Sequence, residues 1–226
     1  ANSETGVMQA LPPGIAVSDF TQAFGKVPVS FAWSGAEMAL VSAHKLGGPK
    51  GVGALILKQG LDVSALIRGG GQEMGRRSGT ENVIGIAGFG AAAAAAQRDL
   101  ETGVWSRVEE FRNILEISLE GFAQPIIFIG KESPRLPNTS CFIAPGWRGE
   151  TQVMQMDLAG FAVSAGSACS SGKVKASGVL TAMGHGAVAA SQAIRVSIGP
   201  TTTEEDIRRF ATTWGAKYEK IRARAA

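Results

Sequence analysis

Blocks of like charge are missing from this sequence: no run of five or more occurs, and 22 Lys and Arg stand against 19 Asp and Glu, a formal net charge of +3. A dedicated nucleic-acid surface is therefore not indicated. Cysteine is scarce. With two residues, Cys141 and Cys169, and no C-x-x-C pair, neither a disulfide framework nor a dithiol motif can be built, so a reducing cytoplasm is the natural compartment. Histidine is as scarce, at two residues, which argues against a metal centre. No stretch approaches about 18 consecutive apolar residues, so no membrane-spanning helix is expected. The first residues lack the basic, apolar and small-residue regions of a signal peptide. No G-x-x-x-x-G-K-[ST] sequence occurs, which disfavours a nucleotide P-loop. Glycine is plentiful at 30 residues, but without a G-x-y period, so collagen is excluded and many special backbone positions are expected.

What is present is an apolar chain. Of 226 residues, 45% are hydrophobic and 18% charged, enough to bury a core in one large domain or two modest ones. Continuous apolar runs at 15–17, 39–41 and 53–57 read as strands of a sheet covered on both faces, and 19–24 as a short helical turn. Residues 69–79 make a glycine-rich loop. From residue 81 the character changes. The alanine run at 88–97 is helical, and Val104, Val108, Phe111, Leu115 and Leu119 recur at helical spacing down to Gly121. Strands follow at 125–129, 140–143, 161–163 and 194–198, a helix at 152–158, and a last helix opened by a Thr202/Glu205 capping box. The expected division is 1–97, part of a large and mainly parallel sheet domain, and 98–226, a smaller α+β domain.

Several residues could carry chemistry. Lys45, in Ser42-Ala43-His44-Lys45, follows a buried strand among small residues, where α/β sheets place ligands. Such an amine can condense with a carbonyl compound; on the segment alone it reads equally well as a surface lysine in a turn. Asp19 ends another strand, with Gln22 one turn on; its carboxylate either meets a cationic ring nitrogen or caps the turn. Cys169 sits among Gly166, Ser167, Ala168, Ser170, Ser171 and Gly172, too polar for a core, and reads as a reactive thiol on a weakly packed, mobile loop. Cys141, beside Phe142 and Ile143, reads as buried and inert. Arg195 alternates with apolar strand residues and needs a carboxylate partner, either structural or a substrate's.

Taken together, Asp19 and Gln22, Ser42-Ala43-His44-Lys45, Arg77-Ser78-Gly79-Thr80-Glu81-Asn82, the Cys169 loop and Arg195-Val196-Ser197 resemble the cysteine desulfurases, in the class V aminotransferase-like branch of fold-type I pyridoxal phosphate enzymes. The resemblance runs in order from Asn2 to the terminal helix. It implies an α/β fold of that type and pyridoxal 5'-phosphate as cofactor. It implies Lys45 as the residue that bonds the cofactor, Asp19 on its ring nitrogen, Gln22 on its ring hydroxyl, and Ser42 and His44 on its phosphate. Thr80 would reach the phosphate in a neighbouring subunit, so the resemblance implies a homodimer. Arg195 would hold the carboxylate of L-cysteine, and Cys169 would take the sulfur for an acceptor such as an iron–sulfur scaffold. The competing readings are another class V aminotransferase or lyase, and an inactive relative needing an N-terminal partner. Members of the family carry roughly 110–150 further residues before the point matched by Ala1. Their Asn-Asn-Glu sequence is Asn2-Ser3-Glu4 here, which puts Ser3 where the second Asn meets cofactor or substrate.

Overall fold

The computed structural model describes residues 1–122, 126–166 and 176–225. Its contacts divide the chain into two units, one of Ala10–Thr102 and one of Ala1–Gln9 with Gly103–Ala226. The division lies beyond 97/98 because the alanine-rich helix runs on to Glu101. The first nine residues belong with the C-terminal half because they pair there. Val7 forms an antiparallel bridge with Arg135, and the Met8 N–H donates to the Pro134 carbonyl at 2.8 Å. Gly6, at φ +74°, allows this pairing: a Cβ there would stand 2.9 Å from the Thr139 Cβ.

In the unit of residues 10–102, strands β1 (Val17–Asp19), β2 (Met38–Ser42) and β3 (Gly53–Leu57) form a sheet in that order. β1 and β2 are parallel; β3 returns antiparallel to β2. Opposed residues share a face. Ser18, Ala39 and Ile56, with Val41, turn toward a core that includes Phe20, Leu11, Phe24, Leu46 and Phe89. The other face carries Val17, Asp19, Leu40, Ser42 and Leu55, and Val17, Leu40 and Leu55 are each more than 40% exposed. The apolar runs at 39–41 and 53–57 make strands, and within this unit one face of the sheet is packed while Val17, Leu40 and Leu55 on the other are exposed. Helix α1 (Val83–Glu101) starts earlier than the alanine run because Asn82 caps it, accepting from the Gly85 N–H at 3.1 Å.

The other unit holds α2 (Val104–Phe122), β4 (Ile127–Phe128), β5 (Thr139–Ile143), α3 (Gly149–Asp157), α4 (Gly178–Ala182), α5 (Ala187–Ala190), β6 (Ala193–Ser197) and α6 (Glu204–Ala225). Its sheet is antiparallel in the order β4-β5-β6. Leu115 and Leu119 of α2, Phe142, Ile194, and Phe210, Trp214 and Tyr218 of α6 make the core. The 161–163 strand does not form; among the described residues this segment joins β6 through an isolated bridge between Ser164 and Arg195. The last helix is capped one residue later than expected. Thr203 and Asp206 exchange the capping bonds, because the Thr202 hydroxyl already accepts from the Gly199 N–H at 3.0 Å.

One buried polar group ties this core together. Gln152 is fully buried; its amide donates to the Trp147 and Gln192 carbonyls, both at 2.9 Å, and accepts from the Trp214 indole at 3.1 Å. Gln152→Ala leaves those groups unpaired beside a void, and should cost about 2–4 kcal/mol. Urea denaturation measures it, and a cost under about 1 kcal/mol would show that water or repacking replaces the amide.

Candidate functional site

β1 and β2 run parallel, so their C-terminal ends lie side by side. Asp19 is the last residue of β1 and Ser42 the last of β2, both on the open face of the sheet. A 3₁₀ turn, Ala43–Leu46, starts directly after β2 and carries His44 and Lys45. Gly47 ends that turn at φ 85°, a conformation that favours glycine. Four of the expected residues therefore meet at one end of one strand pair, the edge where α/β sheets bind ligands. Gln22, half-buried, stands in the turn after β1.

The local bonds set their availability. Asp19 uses one carboxylate oxygen to accept from the Thr21 N–H at 2.8 Å, so the capping role is filled by Oδ1 alone. Ser42 Oγ and His44 Nδ1 lie 2.8 Å apart, which orients the imidazole against the strand end. Asp19, His44 and Lys45 are exposed. Lys45 has no ion-pair partner among the described residues, and exposure rather than a dry pocket is what this unit gives it. Thr80, also exposed, follows a loop folded on itself: the Ser78 hydroxyl donates to the Gly70 carbonyl at 3.2 Å, and the Gly79 N–H to Gln72 at 3.3 Å. Within this loop Glu73 and Met74 take φ of 51° and 56°, left-handed values uncommon for side-chain-bearing residues.

The other unit gathers Arg195 and Ser3. Asn2 opens a tight turn, its side-chain oxygen accepting from the Glu4 and Thr5 N–H groups at 2.9 Å. The Arg195 guanidinium donates to the Ser3 carbonyl at 2.7 Å and to the Ser164 hydroxyl at 3.2 Å, so Ser3 meets Arg195 through its backbone. Among the described residues, Arg195 Nε and Glu4 Oε1 are buried without hydrogen-bond partners. Cys141 faces Arg195 across β5 and β6, and burial, then the Glu4 charge, push its thiol up to about 12 against the opposing pull of Arg195 and Arg135. It is inert as a nucleophile. Cys169 and the expected mobility of its loop lie outside the described residues.

Sequence reasoning missed Lys26. It is 8% exposed, and its ammonium donates to the Gln22 carbonyl at 2.9 Å. Burial, and then the Lys45 charge, lower it from 10.5 to about 8. The signal was available: Lys26 is the single charge in the stretch from Phe20 to Ser30. Ser164 and Glu4 were also missed, and no local pattern marks either as a neighbour of Arg195.

Comparison with known proteins adds an independent line. Residues 9–210 match the aminotransferase class-V family model. A cysteine desulfurase of Cereibacter sphaeroides is 41% identical over 91% of this chain and 52% of its own length. The cysteine desulfurase NifS of Azotobacter vinelandii is 38% identical over 92% of this chain and 54% of its own length. The chain thus spans about half the length of the curated relatives it matches. Among solved structures, a NifS-like protein from Rickettsia africae superposes with a TM-score of 0.85 at 32% identity, over 97% of this chain and 60% of that one. No helix among the described residues is long and apolar enough to cross a membrane.

Proposed function

The chain belongs to the class-V aminotransferase family, and on that premise we propose that it acts as part of a pyridoxal-phosphate-dependent cysteine desulfurase that converts L-cysteine to L-alanine. The observation that carries this reading is the meeting of Asp19, Ser42, His44 and Lys45 at the C-terminal ends of two adjacent parallel strands. The donor set fits the cofactor: a carboxylate for a ring nitrogen, an amine for an aldehyde, and a hydroxyl–imidazole pair for a phosphate. When bound, pyridoxal phosphate supplies a carbonyl that captures amines and a ring that withdraws electrons from the substrate.

The chain's own residues do the rest. Asp19 would hold the ring nitrogen, Gln22 the ring hydroxyl, and Ser42 with His44 the phosphate. Lys45 would be the residue that bonds the cofactor and the base that moves protons. Arg195, held between Ser3 and Ser164, pairs with the substrate carboxylate. Cys169, as thiolate, bonds the substrate sulfur as its C–S bond breaks; the electron pair stays on carbon, which is protonated and leaves as alanine. The persulfide passes to an acceptor such as an iron–sulfur scaffold, in the cytoplasm. Thr80 serves the phosphate of a second copy, and Leu66, Ile67, Met74, Val83 and Ile84, each more than 60% exposed in the segments flanking Thr80, suit a surface covered in a homodimer.

The test is alanine production from L-cysteine by the protein supplied with pyridoxal phosphate. Cys169→Ser should abolish persulfide and reduce alanine to background. Undiminished turnover in that variant would make this a class V enzyme of another reaction, with Cys169 a bystander.

A further inference from the structure

We propose that Arg77 is a positioning residue for Thr80: its guanidinium grips the two peptide carbonyls that precede Thr80, and so presets the direction in which this residue meets a phosphate. This rests on the reading of Thr80 as a phosphate ligand.

Thr80 has free groups for an anion. It is exposed, and neither its N–H nor its hydroxyl has a hydrogen-bond partner among the described residues. It has no support of its own, and an exposed loop residue without contacts samples many directions. The support comes from the residues before it. Arg77 Nη1 donates to the Ser78 carbonyl at 3.2 Å and to the Gly79 carbonyl at 3.3 Å. Gly79 stands at φ +104°, which favours glycine, and a Cβ there would lie 3.4 Å from Arg77 Nη1. The Gly79 N–H is taken by Gln72 Oε1 at 3.3 Å, so the Ser78–Gly79 peptide is held at both its carbonyl and its N–H. The Gly79–Thr80 peptide is held by Arg77 alone. Its carbonyl and the Thr80 N–H belong to one planar trans group, so a grip on the carbonyl turns the N–H to the opposite side.

The guanidinium is itself committed. Nη2 meets the Glu73 carboxylate at 3.4 Å, so the charge already has a partner and serves to shape the loop rather than to hold an anion directly. Glu73 and Met74, at φ 51° and 56°, take a backbone conformation that persists where surrounding contacts hold it. In that conformation Glu73 faces Arg77, four residues on. A ligand group whose direction is fixed beforehand loses less entropy on binding, and that is what Arg77 supplies to Thr80.

The readout is equilibrium dialysis of the purified protein against pyridoxal phosphate and against pyridoxal, which lacks the phosphate. Arg77→Ala should weaken pyridoxal phosphate binding about tenfold, the worth of one hydrogen bond to a charged group, and pyridoxal binding by less than about twofold. Retained pyridoxal binding also reports that the protein is folded. Thr80→Ala should show the same selectivity. In the double variant the loss should be about twentyfold, short of the roughly hundredfold product, because both residues serve one contact. Losses that multiply would make Arg77 a phosphate ligand in its own right, and would overturn the proposal. So would an equal loss for both ligands, or none, in Arg77→Ala. If Thr80→Ala has no phosphate-selective effect, the Thr80 reading falls and this one with it; a selective effect in Thr80→Ala alone removes only Arg77. No cysteine turnover is measured, so failure of the desulfurase reading is seen separately.

Discussion

Glu116→Ala is expected to destabilise the unit that contains α2 and the antiparallel sheet by about 3–5 kcal/mol. Glu116 and Arg135 are both about 95% buried, with side-chain exposures of 4% and 5%. They meet bidentately, at 2.8 and 3.1 Å, and the Ser140 hydroxyl donates to the same carboxylate at 2.8 Å. Truncation would strand the Arg135 guanidinium and the Ser140 hydroxyl away from water, and an unpaired buried charge is the most expensive part of that loss. Replacing both partners with apolar residues, Glu116→Leu with Arg135→Met, removes the charges together and should cost far less. The consequence reaches the ligand side, because Arg135 pairs with Val7 and so anchors the turn whose Ser3 carbonyl holds Arg195. Urea denaturation of the three proteins decides it. A single variant within about 1 kcal/mol of the parent would mean that water reaches this pair.

The second large effect is chemical. Incubating the protein with pyridoxal phosphate and reducing with borohydride should leave the label on the peptide containing Lys45, and Lys45→Ala should drop it to background. Asp19→Asn should leave the labelled site unchanged and weaken its occupancy at limiting cofactor. Lys45 is exposed and bears no ion pair among the described residues, so its loss should change stability by no more than about 0.5 kcal/mol. Loss of label then cannot be assigned to unfolding. Label persisting on Lys26 or Lys50 in Lys45→Ala would remove Lys45 from the proposed chemistry.

Much of this molecule was legible along the chain because its signals are local. The run 53–57 is a strand with those bounds, and Val104 to Gly121 is helical throughout, since an apolar period needs only neighbouring residues to be read. Cys141 is buried among apolar groups, as its flanking residues indicated. Where signals compete, the reading slipped. The last helix takes its cap from Thr203 because Thr202 is engaged by Gly199, and 161–163 stays out of the sheet although its residues suit a strand.

The sequence by itself determined which residue types stand at the ends of β1 and β2, because small residues, an apolar run and a Lys in succession leave few other arrangements. It could also place Arg195 on a strand by alternation. Only the tertiary structure decided that those two strands are parallel neighbours and that Arg195 rests against Ser3, 192 residues away in sequence. It alone placed the buried Lys26 ammonium on the Gln22 carbonyl. The reason is physical: propensity and periodicity act over a few residues, whereas burial, charge pairing and strand neighbourhood depend on which distant segments pack together, and no local pattern encodes that choice.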